Sequence, residues 1–181
     1  MILTYIPGTT FDLSFLAGKV SLRESYTKAY NVNVAGTNVL TWTFMPLLLQ
    51  SADPRLIFVA GLASINAASV SYFPTPAQPA GWPKKDIDFE TIGYRCSKVA
   101  LNMLMLDWKH KLSADGVRVF CVGPGFLHTN LGGEEVSEER RRKMGLGHPS
   151  AGGDILRRVV EGERDADVGK IVTKDGGISQ W

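Results

Sequence analysis

The chain has 181 residues, 44% of them hydrophobic and 21% charged, with a formal net charge of +2. That size and composition suit one soluble domain, residues 1–181, with a real core. The near-balanced charge carries no signature of a nucleic-acid or membrane partner, and no apolar run is long enough to cross a bilayer. Two cysteines, Cys96 and Cys121, lie apart from any residue at metal-ligand spacing and fit a reduced, cytoplasmic setting.

Residues 1–6 are apolar and stop at Pro7-Gly8, which predicts a strand and a turn. They lack the basic start and apolar length of a signal peptide. Residues 9–22 read as a loop. Residues 23–50 read as a long helix with a stripe of Tyr26, Tyr30, Val34 and Leu40; its end, residues 42–49, is apolar nearly all round, and Pro46 is predicted to kink it. Residues 55–60 form a short continuous apolar run between Asp53-Pro54 and Gly61, the pattern of a strand buried on both faces. Residues 61–90 are rich in Ser, Pro, Ala and Gly, a loop long enough to suggest function. A second long helix is predicted over 92–113 and a second buried strand over 117–122, stopped by Gly123-Pro124-Gly125. Residues 134–144 place acidic side chains before basic ones, which suits a short solvated helix. A last helix over 149–162 and a strand over 170–173 complete the chain.

Strands alternating with helices predict an α/β fold: a parallel sheet of about four strands, right-handed crossovers and helices on both faces. Ligands bind outside the carboxyl ends of such strands. That edge would hold Pro7-Gly8, residues 61–64 and residues 123–129, with Tyr94 following the long loop that leaves it. Tyr94 and Lys98 are four residues apart and share a helix face. An ammonium beside a phenol favours phenolate and lowers the tyrosine from its usual value of about 10, which makes the pair a candidate proton carrier. Alone, Tyr-x-x-x-Lys more often marks an ordinary helix face. His110, His128 and His148 have no carboxylate or thiol at ligand spacing, so no metal site is predicted. Ser97 has no histidine base at useful spacing and reads as a packing residue. Tyr72, Phe73 and Trp82 either line a substrate mouth or pin the long loop.

Four ordered features resemble the short-chain dehydrogenase/reductase family. Asn33-Val34-Ala35-Gly36 is similar to the family's Asn-Val-x-Gly, and residues 55–60 to the strand leading to its catalytic serine. Tyr94-Arg95-Cys96-Ser97-Lys98 is similar to Tyr-x-x-Ser-Lys, and Pro124-Gly125-Phe126-Leu127-His128-Thr129 to Pro-Gly-x-x-x-Thr. The tail, Asp165-Ala166-Asp167-Val168-Gly169-Lys170 with Gly176 and Trp181, resembles fungal-type members. The resemblance implies a truncated Rossmann-like domain and an oxidoreductase acting on a carbonyl or alcohol with NADP or NAD. Tyr94 would be the acid/base, Lys98 its pKa-lowering neighbour and ribose ligand, and Asn33 the support of a water near Lys98, at a local break in its helix. Pro124, Gly125 and Thr129 would meet the nicotinamide, and Gly8 is the remnant of the family's Asn-Asn-Ala-Gly. A homodimer through the helices carrying Asn33 and Tyr94 is also implied.

Three departures qualify the resemblance. The family's opening βαβ unit, with the glycine-rich turn that holds the pyrophosphate and the residues that choose NADP or NAD, has no counterpart. That makes residues 1–6 an open sheet edge and predicts weak dinucleotide binding. Tyr5-Ile6-Pro7-Gly8 keeps only the glycine of its motif. Ala60-Gly61 stands where a strand-end serine belongs, leaving Ser64 as a substitute if the loop folds back. The sequence therefore keeps three readings open: a nicotinamide-dependent oxidoreductase, a cofactor-independent isomerase, cyclase or dehydratase using Tyr94, and a non-catalytic truncated remnant.

Overall fold

Residues 55–59 read Arg-Leu-Ile-Phe-Val and all five are buried, as they must be in a strand covered on both pleat faces. This strand is β2 (Arg55–Val59). In the computed structural model, which describes residues 1–6, 8–60, 65, 68–69, 79–82, 84, 91–129, 131, 138–143 and 145–181, β2 sits between β1 (Ile2–Tyr5) and β3 (Arg118–Gly123). β4 (Ile171–Thr173) continues the parallel sheet in sequence order. A fifth strand, β5 (Ile178–Ser179), adds antiparallel to β4. It has two residues and no alternating pattern, so it escapes a reading of periodicity. The register aligns Tyr5 with Phe58, Val59 with Val122, and Val122 with Val172. The carboxyl ends of the parallel strands therefore share one edge of the sheet.

Helices among the described residues include α1 (Asp12–Leu16), α2 (Leu22–Tyr30), α3 (Thr37–Leu48), α4 (Ile92–Lys111), α5 (Glu138–Lys143) and α6 (Pro149–Val160). Ser21 caps α2 by accepting from the Glu24 amide at 3.2 Å, which satisfies one of the orphan donors of its first turn. α2 and α3 are joined by a π-helical turn over Asn31–Gly36. The long helix is therefore interrupted at Asn33, as the resemblance implies, and not at Pro46. Pro46 lies two residues from the end of α3, where a missing N–H falls in the last turn and little helix remains to bend. The predicted loop 9–22 contains α1.

Alternate strand residues face opposite layers. Leu56 and Phe58 pack with Met45, Leu48, Leu101, Met105 and Trp108 from α3 and α4. Ile57, Phe120, Val122 and Val172 pack with Ile155 and Val159 from α6. Full burial of each such side chain is worth roughly 1.5–3 kcal/mol. Since α3 and α4 share one face while α6 covers the other, the third crossover has the opposite hand to the first two. Uniform right-handed crossovers, expected from the βαβ pattern, do not hold. The reason lies in β2 and β3: they are apolar on both faces, and a third helix on the first face would leave the second bare.

Helix α3 is inverted in polarity. Thr37 and Thr41 are buried and return their hydroxyls to the carbonyls four residues earlier, each at 2.8 Å. Val39, Leu40, Trp42 and Leu47 point outward, Trp42 with 71% of its surface exposed, and Met103 of α4 is exposed as well. β1 is an edge strand, and its first residue, Ile2, is exposed.

At the opposite end of the strands, the guanidinium of Arg55, buried at the start of β2, donates to the Val159 carbonyl at the end of α6 (3.0 Å) and to both oxygens of Asp165. It ties the α6 layer to the sheet. Hydrogen bonding to Arg55 holds the Asp165 carboxyl below its usual range. A lowered carboxyl contributes stability above its unfolded pKa of about 4 and loses it as pH falls through the folded value. Asp165→Asn should lower stability at pH 7 by about 1 kcal/mol, since a third of the carboxylate is exposed and screened. Urea unfolding at pH 7 and pH 3 checks this; the gap between variant and wild type should close at the lower pH.

Candidate active site

The N-terminal half of α4 faces the carboxyl edge of the sheet. Its buried stripe, Gly93, Ser97, Lys98, Leu101, Asn102, Met105 and Trp108, follows helical spacing and contains three polar residues. Lys98 is 3% exposed and donates to the Val59 carbonyl, at the carboxyl end of β2, at 2.8 Å. Its ammonium lies over the Tyr94 ring, 5.5 Å from the centroid. The helix-face spacing thus sets the ammonium against the face of the Tyr94 ring.

The electrostatics differ from the expected ones. Burial pushes the Tyr94 phenol up to about 12 and the Lys98 ammonium down to about 8. The low-polarity surroundings disfavour both charged forms, and they outweigh any help the ammonium gives to a phenolate. The thiol of Cys121 is also pushed up to about 12, by burial first of all, and lies 3.3 Å from Asn102 Oδ1.

Asn33 is fully buried in the π-helical turn. Its amide nitrogen donates to Ser97 Oγ at 2.9 Å and to the Thr9 carbonyl at 3.0 Å, and its oxygen accepts from the Thr9 amide at 3.2 Å. Its carbonyl accepts from Thr37 Oγ1 at 2.8 Å. Asn33 thereby joins three segments: the chain after β1, the π turn and α4. Ser97, read as a packing residue, is the partner through which Asn33 reaches α4, and it also donates to the Tyr94 carbonyl at 2.7 Å.

Pro124 and Gly125 directly follow β3, beside the end of β2, where the Ala60 amide donates to Val122. Leu127 bridges to Gly147 and fills the space a side chain at Gly152 would take, so the loop is seated on the start of α6. Gly125 has a φ of +82°, and a Cβ there would meet Lys174 Cδ at 2.7 Å. Its glycine is required by backbone conformation and by the Lys174 stem. Thr129 is exposed, and its hydroxyl accepts from the Leu131 amide at 3.4 Å. Gly8 lies next to the latched Thr9; among the described residues, the nearest atom a Cβ there would meet is Leu131 Cδ1 at 3.9 Å. Ser64, Tyr72 and Phe73 lie outside the described residues, while Trp82 is 87% exposed.

A family model for short chain dehydrogenase matches residues 87–140, the stretch that holds Tyr94, Lys98 and Thr129. The short-chain dehydrogenase/reductase tropE of Talaromyces stipitatus is 46% identical over 176 residues, covering 93% of this chain and 63% of that protein. This chain belongs to the short-chain dehydrogenase/reductase family. A second family member, eupG of a Phoma species, is 44% identical over 164 residues, covering 87% of this chain and 58% of its own. The chain thus spans about three fifths of the length of these curated relatives. The fold agrees: NADPH-bound carbonyl reductase from chicken fatty liver superposes with a TM-score of 0.72 at 18% identity, over 99% of this chain and 65% of that one. Ligand-free aldohexose dehydrogenase from Thermoplasma acidophilum gives 0.70 at 17% identity, over 95% and 65%.

The depressed lysine has a thermodynamic signature. Between pH 8 and about 10.4 the unfolded chain holds a proton on Lys98 that the folded chain has released, so this residue makes stability rise with pH. Relative to Lys98→Met, the wild type should gain on the order of 2 kcal/mol from pH 7.5 to pH 10. Urea midpoints of the two proteins across that range provide the check.

Proposed function

We propose that this chain carries the proton-transfer machinery of an oxidoreductase that interconverts a small-molecule carbonyl and an alcohol with NADP or NAD. The observation that carries the proposal is the buried Lys98 ammonium, anchored at the carboxyl end of β2 and lying over the Tyr94 ring. A buried ammonium must be hydrogen-bonded, and Lys98 meets that need at the main chain beside Tyr94.

The residues present fit the nicotinamide end of such a cofactor. Tyr94, Lys98 and Thr129 offer a phenol, an ammonium and a hydroxyl at one sheet edge, with the Gly8 backbone just beyond the carboxyl end of β1. The sequence holds no Gly-x-Gly-x-x-Gly turn for a pyrophosphate, so affinity from this chain alone is expected to be weak. When bound, the nicotinamide supplies or accepts hydride. Tyr94 donates its proton to the carbonyl oxygen during reduction, and Lys98 stabilises the phenolate left behind and holds the ribose. Asn33 fixes α4 through Ser97. Pro124, Gly125 and Thr129 shape the nicotinamide side of the edge. Ser64, after the Ala60 strand end, is the remaining candidate for polarising the substrate oxygen.

The phenol is neutral at pH 7, the form carbonyl reduction requires, and Lys98 keeps its charge only below about pH 8. Reduction should therefore slow as pH rises through 8. Tyr94→Phe should lower turnover of NADPH or NADH with an aldehyde or ketone panel by at least about a hundredfold, with circular dichroism unchanged. Retained activity in that variant would overturn the assignment. Turnover that needs Tyr94 but no nicotinamide would move it to the isomerase, cyclase or dehydratase class.

The same reading includes a homodimer through α3 and α4 in a cytoplasmic setting. The outward apolar row of Val39, Trp42, Leu47 and Met103 supports the first, and two free thiols support the second. Light scattering at micromolar concentration should give twice the chain mass, and Trp42→Glu should return it to the monomer. A monomeric wild type would exclude the pairing.

A further inference from the structure

We infer that Asp12 is a positioning residue for Tyr94, clamping the start of α4 from a segment eighty residues earlier in the chain. The inference rests on the reading of Tyr94 as the proton carrier. The first amides of any helix lack intrahelical partners, and the residue before the helix commonly supplies one. Thr91 occupies that position in α4 and makes no capping bond; its hydroxyl accepts from Arg95 Nε at 3.0 Å.

The cap comes from Asp12. The Gly93 amide donates to Asp12 Oδ1 at 3.1 Å and the Tyr94 amide to Asp12 Oδ2 at 3.0 Å. Thr10 Oγ1 donates to Oδ2 at 2.9 Å and accepts from the Asp12 amide at 3.3 Å. Both carboxylate oxygens are engaged and the residue is 3% exposed, so the carboxylate has one orientation. Its charge also sits at the positive end of the α4 dipole. Gly93 records how close the approach is. A Cβ there would meet Asp12 Oδ1 at 2.7 Å and the Tyr26 ring at 3.3 Å.

A second latch lies one turn further along. Thr9 is held at both its amide and its carbonyl by the Asn33 side chain, which also donates to Ser97. The segment 9–12 is thus fixed to α4 at Gly93 and Tyr94 and again, through Asn33, at Ser97. Tyr94 belongs to the first attachment through its own amide, and the second lies three residues further along the helix. Neither end of the helix turn that carries the phenol can shift without breaking a buried bond. Errors of about 1 Å in such groups cost up to a hundredfold in rate.

The test measures amide hydrogen exchange at Gly93 and Tyr94 together with kcat and KM for a reducible aldehyde, in wild type, Asp12→Ala, Asp12→Asn and Gly93→Ala. In Asp12→Ala, exchange at these two amides should rise at least about tenfold while amides in the middle of α4 stay protected. There kcat should fall about tenfold with KM within about twofold. Asp12→Asn, which keeps one acceptor, should recover part of both. Gly93→Ala should reproduce the loss without removing a charge. Unchanged exchange, or raised exchange with unchanged kcat, would overturn the inference. If Asp12→Ala does not fold, the same correlation must appear in Asp12→Asn and Thr10→Val, or the inference fails. Exchange needs no turnover: an inactive wild type with the predicted exchange pattern would sink the oxidoreductase reading and leave the clamp standing.

Discussion

The bond from the Lys98 ammonium to the Val59 carbonyl ties the site to the sheet. A lysine taken out of water must find an acceptor or give up its proton, and the acceptor here is a main-chain oxygen at the end of the most buried strand. That choice fixes the rotation of α4 about its axis, because turning the helix would strand the charge. Tyr94, four residues earlier on the same face, then has little freedom. Arginine would not substitute, since its wider fork cannot make the same single contact with a carbonyl in a packed space. Fold and chemistry thus share one residue.

The second organising fact is that polarity is reversed along α3. Threonines face the core and a tryptophan faces out. Inward threonines are tolerable because each satisfies its hydroxyl on its own helix, so nothing polar is left unpaired against α4. Outward apolar residues find no such local solution. Trp42 leans on Trp108, with ring centroids 6.2 Å apart, yet most of its surface stays uncovered. The helix pair therefore has two apolar faces, one against the sheet and one outside. Only the inner face is accounted for by the fold of a single chain.

Much of this was legible in the sequence because the relevant signals are local. The continuous apolar runs at 55–60 and 117–122 announce doubly buried strands, and the Tyr-to-Lys spacing announces a shared face. What escaped depends on contacts between distant segments. Asp12 lies in a stretch that reads as loop, and nothing near it shows that its carboxylate belongs to a helix eighty residues away. Lys174 is likewise silent until its stem is found against Gly125. The two-residue β5 is too short for any pattern, and the hand of the last crossover follows from which face of the sheet remains bare. The lowered phenol failed for a different reason: spacing reports proximity of charges, while burial, which governs here, is a property of the assembled layers.

That failure bears on how the pair works. A general base at neutral pH needs Tyr94 as phenolate, and a phenol pushed up to about 12 is a poor one. The ammonium is committed to Val59 and lies over the ring, where it meets the π face. On the proposed reading, alcohol oxidation and carbonyl reduction pass through the same phenolate, so the ammonium must help that oxygen equally in either direction. Loss of the Tyr94 proton would leave a buried anion beside a buried cation, whose attraction offsets part of the desolvation of each. At neutral pH the phenol is protonated and the ammonium charged, the state from which the proposed carbonyl reduction would begin.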